Sequence, residues 1–214
     1  MSEEAPDRWS AEFWDERYAG SHRIWSGRPN PRLVEHAAHL APGAALDVGC
    51  GEGADAVWLA RQGWQVTGVD VSGVALERAA QHAVEEGVAE RCTWRQVDLL
   101  AGDELPTADL VTVHFLHLPE QHFARVYAAL AAAVRPGGTL LVGAHHPADA
   151  AAGLRNPELA RLLFAPEQVT ALLDPGEWDV RVADAPTRRV RDAEGAEAVA
   201  TDTVVVAVRR PAAG

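Results

Sequence analysis

Cysteine is scarce in this chain: Cys50 and Cys92 are the two it has, too few for a disulfide framework and spaced as no zinc pattern requires. Long apolar runs are missing too. No stretch reaches the ~18 residues of a membrane-spanning helix, and the opening MSEEAPDRWS carries charge where a signal peptide has its apolar core. Positive charge is the third shortage. Against 31 Asp and Glu stand 19 Lys and Arg, a formal charge of -12, which opposes docking on phosphate backbones or anionic lipid. These shortages point to a soluble, cytoplasmic protein with a small-molecule partner, no nucleic acid and no membrane, and they leave the oligomeric state open. A length of 214 residues suits one well-buried domain.

What is present centres on residues 45–60, ALDVGCGEGADAVWLA: a short apolar run, a loop with Gly49, Gly51 and Gly53, then a helix. Alternate glycines let the backbone turn tightly and approach a ligand with no Cβ in the way. Two cofactors suit the spacing. Gly49, Gly51 and Ala54 satisfy the dinucleotide pattern, with Asp70 at the ~20-residue interval that grips a ribose. Asp47 and Glu52, however, are carboxylates that repel a pyrophosphate. S-adenosylmethionine, with a sulfonium, an ammonium and one carboxylate, carries net positive charge and fits an acidic loop better.

Ahead of this loop, Trp9, Phe13, Trp14, Tyr18 and Trp25 concentrate aromatic surface in a cap segment, residues 1–39. Phe13, Trp14, Arg17 and Tyr18 share one helical face, so residues 10–19 form a short helix ending at Gly20. The cap either packs on the sheet edge or covers the cofactor, where the Trp25 indole would face a sulfonium. From Ala44 the pattern alternates: strand 44–48, helix 54–62, strand 64–70, helix 73–86 with Ser72 as N-cap, strand 92–97, strand 109–115, helix 120–134, and strand 138–144 after the turn Arg135-Pro136-Gly137. Such alternation implies a parallel sheet with ligands at the carboxyl ends of its strands. The tail departs from it, with helices at 157–163 and 167–173, then strands near 178–189 and 199–209 joined at Asp192–Gly195, a hairpin whose last strand inserts antiparallel.

Together, LDVGCGEG at 46–53, VTGVD ending at Asp70, QVDLL at 96–100, DLVTVHFLHL at 109–118 and RPGGTLLV at 135–142 resemble the class I S-adenosylmethionine-dependent methyltransferases over residues 40–210. The resemblance implies an α/β, Rossmann-like, doubly wound sheet of seven strands, mostly parallel, closed by that hairpin, in a methyltransferase domain at 40–214. It puts the methionine part of the cofactor against Gly49, Cys50 and Gly51, with Asp47 shaping the pocket and Gly53 closing the loop. Asp70 takes the ribose hydroxyls with Val71 beside it; Asp98 and the Leu99 N–H take the adenine; His114 and Phe115 pass under the sulfonium. The lead-in WDERYAGSHRIWSGRPNPRLVE is similar to small bacterial methyltransferases of the thiopurine and tellurite-resistance type, which suggests a sulfur, selenium or tellurium acceptor.

In-line methyl transfer demands alignment and exclusion of water, and a base only where the acceptor must lose a proton. His117, His145 and His146 follow strands on the acceptor side and are the candidate catalytic residues, His145 or His146 as general base. No metal site is assigned, since only Asp149 lies near them. Arg188, Arg189 and Arg191 read as a solvated hairpin edge. Two other functions stay open: a nicotinamide-dependent oxidoreductase, and a cofactor- or metalloid-binding protein without chemistry.

Overall fold

The computed structural model describes residues 7–21, 24, 26–192 and 194–211. The chain divides into two compact units, Met1–Pro106 and Thr107–Gly214.

The first unit opens with α1 (Ala11–Ala19), started by Ser10, whose side chain accepts the Phe13 N–H, and stopped at Gly20. α2 (Pro31–Ala37) begins with Asn30 as cap and Pro31 in the first turn, where a missing N–H costs nothing. Then come β1 (Ala44–Val48), α3 (Ala54–Arg61), β2 (Gln65–Asp70), α4 (Gly73–Glu85), a 3₁₀ turn and β3 (Cys92–Gln96). β1 and β3 both run parallel to β2, Val48 opposite Val69 and Asp70 opposite Gln96. The loops after all three strands therefore emerge at one end. Ala75, Ala79 and Ala83 give α4 a buried stripe of small side chains one turn apart, which allows close packing. The Asp15 carboxylate of α1 accepts the Ser72 hydroxyl and the Val74 N–H, placing an anion at the start of α4 where the helix dipole favours it.

In the second unit β4 (Ala108–His114) pairs parallel with β5 (Val134–His145). α5 (Glu120–Ala133) lies between them in sequence; α6 (Pro147–Ala151), α7 (Pro157–Ala160) and α8 (Pro166–Thr170) follow. β6 (Trp178–Asp184), β7 (Thr187–Arg191) and β8 (Glu197–Arg209) complete the chain, and β8 pairs antiparallel with β5, β6 and β7. Leu140, Leu141 and Val142 are all fully buried, as a strand covered on both faces requires. Tyr127 of α5 packs its ring on Phe123 and Phe164 at 4.4 and 5.4 Å.

The fold is thus α/β and Rossmann-like, with the antiparallel ending that the tail foretold. Its strands number eight among the described residues rather than seven. The extra one arises because the anticipated strand 178–189 breaks at Ala185 and Pro186; proline has no N–H to give a ladder, and its carbonyl instead accepts the Asp202 N–H. The expected turn Arg135-Pro136-Gly137 is an excursion inside β5: Val134 pairs with Ala108, Thr139 with Leu110, and Gly137 sits at φ 83° between them.

Candidate active site

The glycine loop of the first unit is tied to the end of β2. The N–H groups of Gly49 and Cys50 both donate to the Val69 carbonyl, at 2.8 and 3.0 Å, and the Gly51 N–H donates to Asp70 Oδ2 at 2.8 Å. Gly49, Gly51 and Gly53 all have positive φ, at 68°, 52° and 80°, a region that costs any L-residue energy. Gly53 faces protein: a Cβ there would lie 2.8 Å from the Ala79 Cβ and 2.9 Å from the Trp94 ring. Its contribution is close helix packing; of the rest of the loop Gly49 is exposed, Cys50 half-buried and Gly51 buried.

Three carboxylates surround this loop in different states. Asp47 is 2% exposed, and its Oδ2 has no hydrogen-bond partner among the described residues. Burial, with the charges of Asp55 and Asp70 behind it, pushes this carboxyl well above the usual range against the pull of the Ala56 N–H. Asp70 is likewise raised by burial, although the Ser72, Gly51 and Val71 N–H groups oppose the shift. Glu52 is engaged elsewhere: Oε1 pairs with Arg78 at 3.0 Å and Oε2 accepts the Ile24 N–H at 3.2 Å. The charge of Glu52 is thus spent on Arg78, which leaves Asp47 and Asp70 as the other carboxyls beside the loop. Burial, then the charges of Asp70 and Asp47, push the Cys50 thiol up, so it stays protonated and presents its backbone.

These residues fit S-adenosylmethionine. A buried, unpartnered carboxyl oxygen seeks a cation, which an amino-acid ammonium supplies, and each Asp70 oxygen keeps a lone pair after accepting one N–H. Val71 follows Asp70, its carbonyl held by Gln96 at 2.9 Å. Asp98 Oδ1 accepts the Leu100 and Ala101 N–H groups at 2.8 and 3.1 Å, which fixes the turn carrying Leu99. Trp25, expected over the sulfonium, lies outside the described residues.

The second unit gathers its histidines at the ends of β4 and β5. His114 fills the space over Gly143, where a Cβ would lie 2.4 Å from the imidazole, and its Nδ1 is 3.2 Å from Thr112 Oγ1. Phe115 is a non-glycine residue at φ 55°, with its ring 4.4 Å from that of His145. Strain of this kind persists only where surrounding structure imposes it. His117 stacks on His145 at 5.6 Å. His146 caps α6, its Nδ1 accepting the Ala148 N–H at 3.1 Å. Arg155 donates to His145 Nδ1 at 3.0 Å and pairs with Asp149 Oδ2 at 2.9 Å, and the buried Asp149 also accepts the Thr201 N–H. Arg188 bonds both oxygens of the buried Asp202, so this arginine belongs to the cluster and not to a solvated edge. Sequence reasoning missed Arg155 and the structural role of Asp149; the only signal was the charge of Asp149, four residues from His145.

A family model described as a methyltransferase domain matches residues 45–138, the stretch that carries the glycine loop, Asp70 and Asp98. With the relatives below, this shows that the chain belongs to the class I S-adenosylmethionine-dependent methyltransferases. The ubiquinone biosynthesis O-methyltransferase of Acinetobacter baylyi is 32% identical over 192 residues, covering 86% of this chain and 75% of that protein. Its namesake from Burkholderia multivorans is 38% identical over 107 residues, 49% and 45% of the two chains. Among solved structures, TehB from Haemophilus influenzae superposes with a TM-score of 0.70 at 16% identity, over 94% of this chain and 66% of that one. A structure concerned with converting a disulfide bond into a thioacetal group during echinomycin biosynthesis reaches 0.72 at 24% identity, over 95% and 94%. At such identities these structures speak for the fold alone. The protein is an enzyme that transfers methyl from S-adenosylmethionine to a small molecule, and the nicotinamide alternative is set aside. Among the described residues no helix is long and apolar enough to cross a membrane.

Proposed function

We propose that the first unit holds S-adenosylmethionine through Asp47, the Gly49–Cys50–Gly51 backbone, Asp70, Val71, Asp98 and Leu99. When bound, this cofactor supplies a methyl group made electrophilic by its sulfonium. Asp47 receives the ammonium, and the observation that carries this assignment is its buried, unpartnered Oδ2. Asp70 accepts from the ribose hydroxyls with the lone pairs left after Gly51 and Ser72, and those two bonds hold its carboxylate still. Asp98 accepts from the adenine amino group beside the Leu99 N–H.

His117, His145 and His146 serve the acceptor. That acceptor is a small molecule methylated on oxygen or on a softer atom such as sulfur. The names of the O-methyltransferase relatives support oxygen, and the similarity of the lead-in segment to thiopurine and tellurite-resistance methyltransferases is the support for a soft atom. The net charge of -12 supports a partner other than nucleic acid or anionic membrane, and the free thiols Cys50 and Cys92 support a reducing, cytoplasmic setting.

Calorimetric titration with S-adenosylmethionine tests the assignment. Asp47→Asn and Asp70→Ala should each weaken binding on the order of ten- to a hundredfold, the worth of a charge-assisted hydrogen bond. Unchanged affinity in Asp70→Ala, with the fold intact by circular dichroism, would remove the ribose assignment.

A further inference from the structure

A general base needs a nitrogen free to take a proton, and the surroundings of His145 deny it one. Arginine has donors and no acceptor, so the 3.0 Å contact from Arg155 Nη2 to His145 Nδ1 makes Nδ1 the acceptor and leaves the single ring proton on Nε2. Asp149 keeps Arg155 in place through the 2.9 Å ion pair, and is itself anchored by the Thr201 N–H on β8. The Phe115 and His117 rings pack on the imidazole and fix its plane. The Arg155 contact that orients this ring also opposes a second proton on it.

Burial and the cationic groups facing His145 act in the same direction. Burial, then the charges of Arg155, His117 and Arg188, hold it down at about 3, so the ring is neutral at any ordinary pH. Two carboxylates lie close by, and each is held by an arginine: Asp149, 4.0 Å from Nδ1, pairs with Arg155, and Asp202, opposite His145 on β8, accepts from Arg188 with both oxygens.

His145 also lines a cleft of about 610 Å³ within this unit, together with Arg155, Arg188, Arg191, Asp192 and Glu194. Asp192 Oδ1 is taken by the Glu194 and Ala196 N–H groups, whereas Arg155 Nε is buried with no hydrogen-bond partner among the described residues. Beside His145 the open hydrogen-bonding capacity is thus the Arg155 Nε donor and the Asp149 Oδ2 acceptor, the latter held against Arg155 by charge.

We propose that His145 is a neutral hydrogen-bond donor, locked by Arg155 and Asp149, that positions a weakly acidic acceptor arriving already ionised, a phenolate or a thiolate. Such an acceptor gives its proton to water before binding, so none remains to be removed when its lone pair takes the methyl group. An aliphatic alcohol, which needs a base at the moment of transfer, is excluded. This rests on the methyltransferase reading for the reaction, but the state of the ring does not.

Long-range proton–nitrogen correlation spectra of the full chain, labelled with ¹⁵N-histidine, test both parts. His145, assigned by its loss in His145→Gln, should show a protonated Nε2 and an unprotonated Nδ1, unchanged between about pH 5 and 8. In Arg155→Met it should become titratable within that range. Phenol and thiophenol, added separately at a pH where each is partly ionised, should move the Nε2–H resonance, and cyclohexanol should not. Whichever of the two moves it identifies the acceptor atom. A protonated Nδ1, a titration of wild-type His145 within that range, or silence toward both probes would overturn the proposal. Because the wild-type spectra need no cofactor, they stand even if S-adenosylmethionine binding were to fail.

Discussion

The glycine loop of the first unit and the histidine cluster of the second are built from different materials. Around the loop, carboxylates meet backbone: Asp70 takes the Gly51 and Ser72 N–H groups, and Asp98 takes Leu100 and Ala101. Around the histidines, side chains meet side chains: Arg155 reaches His145, and Arg188 reaches Asp202. A site made of backbone is vulnerable where a Cβ has no room. A site made of buried charges is vulnerable wherever one partner is removed.

The largest effect should come from giving the loop a Cβ. Gly53→Ala forces a methyl to 2.8 Å from Ala79 in a left-handed backbone, for about 2–4 kcal/mol in all. The melting temperature should drop and cofactor affinity fall with it; an unshifted melt would show that α4 yields easily. Next in size, Asp149→Ala strips Arg155 of its ion-pair partner and Thr201 of its acceptor. Since the Arg155 side chain keeps 21% exposure, about 2–3 kcal/mol is expected by denaturant titration. S-adenosylmethionine affinity should not change in this variant. A parallel loss of cofactor binding would break the division between the two regions.

The same contrast explains what could be read beforehand. LDVGCGEG, the Asp70 strand end and QVDLL are contiguous, because strand, loop and helix lie next to one another in the chain, and the register of β1, β2 and β3 aligns their ends. The alternating strands and the reversed hairpin followed from apolar periodicity for the same local reason. Arg155, Asp149 and Arg188 could not be read that way: Asp149 meets Thr201 across 52 positions, a contact that no local pattern encodes. Glu52 misled in the opposite sense, since its charge was plain and its partner Arg78, 26 residues on, was not.

Acid should tilt the two regions in opposite directions. His145 has its folded value lowered from 6.5 to about 3, so the unfolded chain binds the proton first and stability is lost as pH falls through that window. Asp47 is raised above 3.8, so the folded chain binds the proton first, and its contribution is lost as pH rises through the raised value. Melting temperatures followed against pH without cofactor should therefore show a shallower acid loss in His145→Gln, and higher stability at neutral pH in Asp47→Asn. Two variants that tracked the wild type would mean that neither group is perturbed.

The smallest effect separates scaffold from cofactor contact within the loop itself. Glu52→Gln keeps an acceptor for the Ile24 N–H and loses the charge that pairs with Arg78. With the two side chains 27% and 12% exposed, about 0.5–1 kcal/mol is expected, shrinking as salt is added. Cofactor affinity should hold, because the Glu52 charge is spent on Arg78, whereas the Asp47 charge has no such partner. If Glu52→Gln weakened S-adenosylmethionine as much as Asp47→Asn does, the acidity of the loop would act on the cofactor as a whole, and the single buried carboxyl would lose its special place.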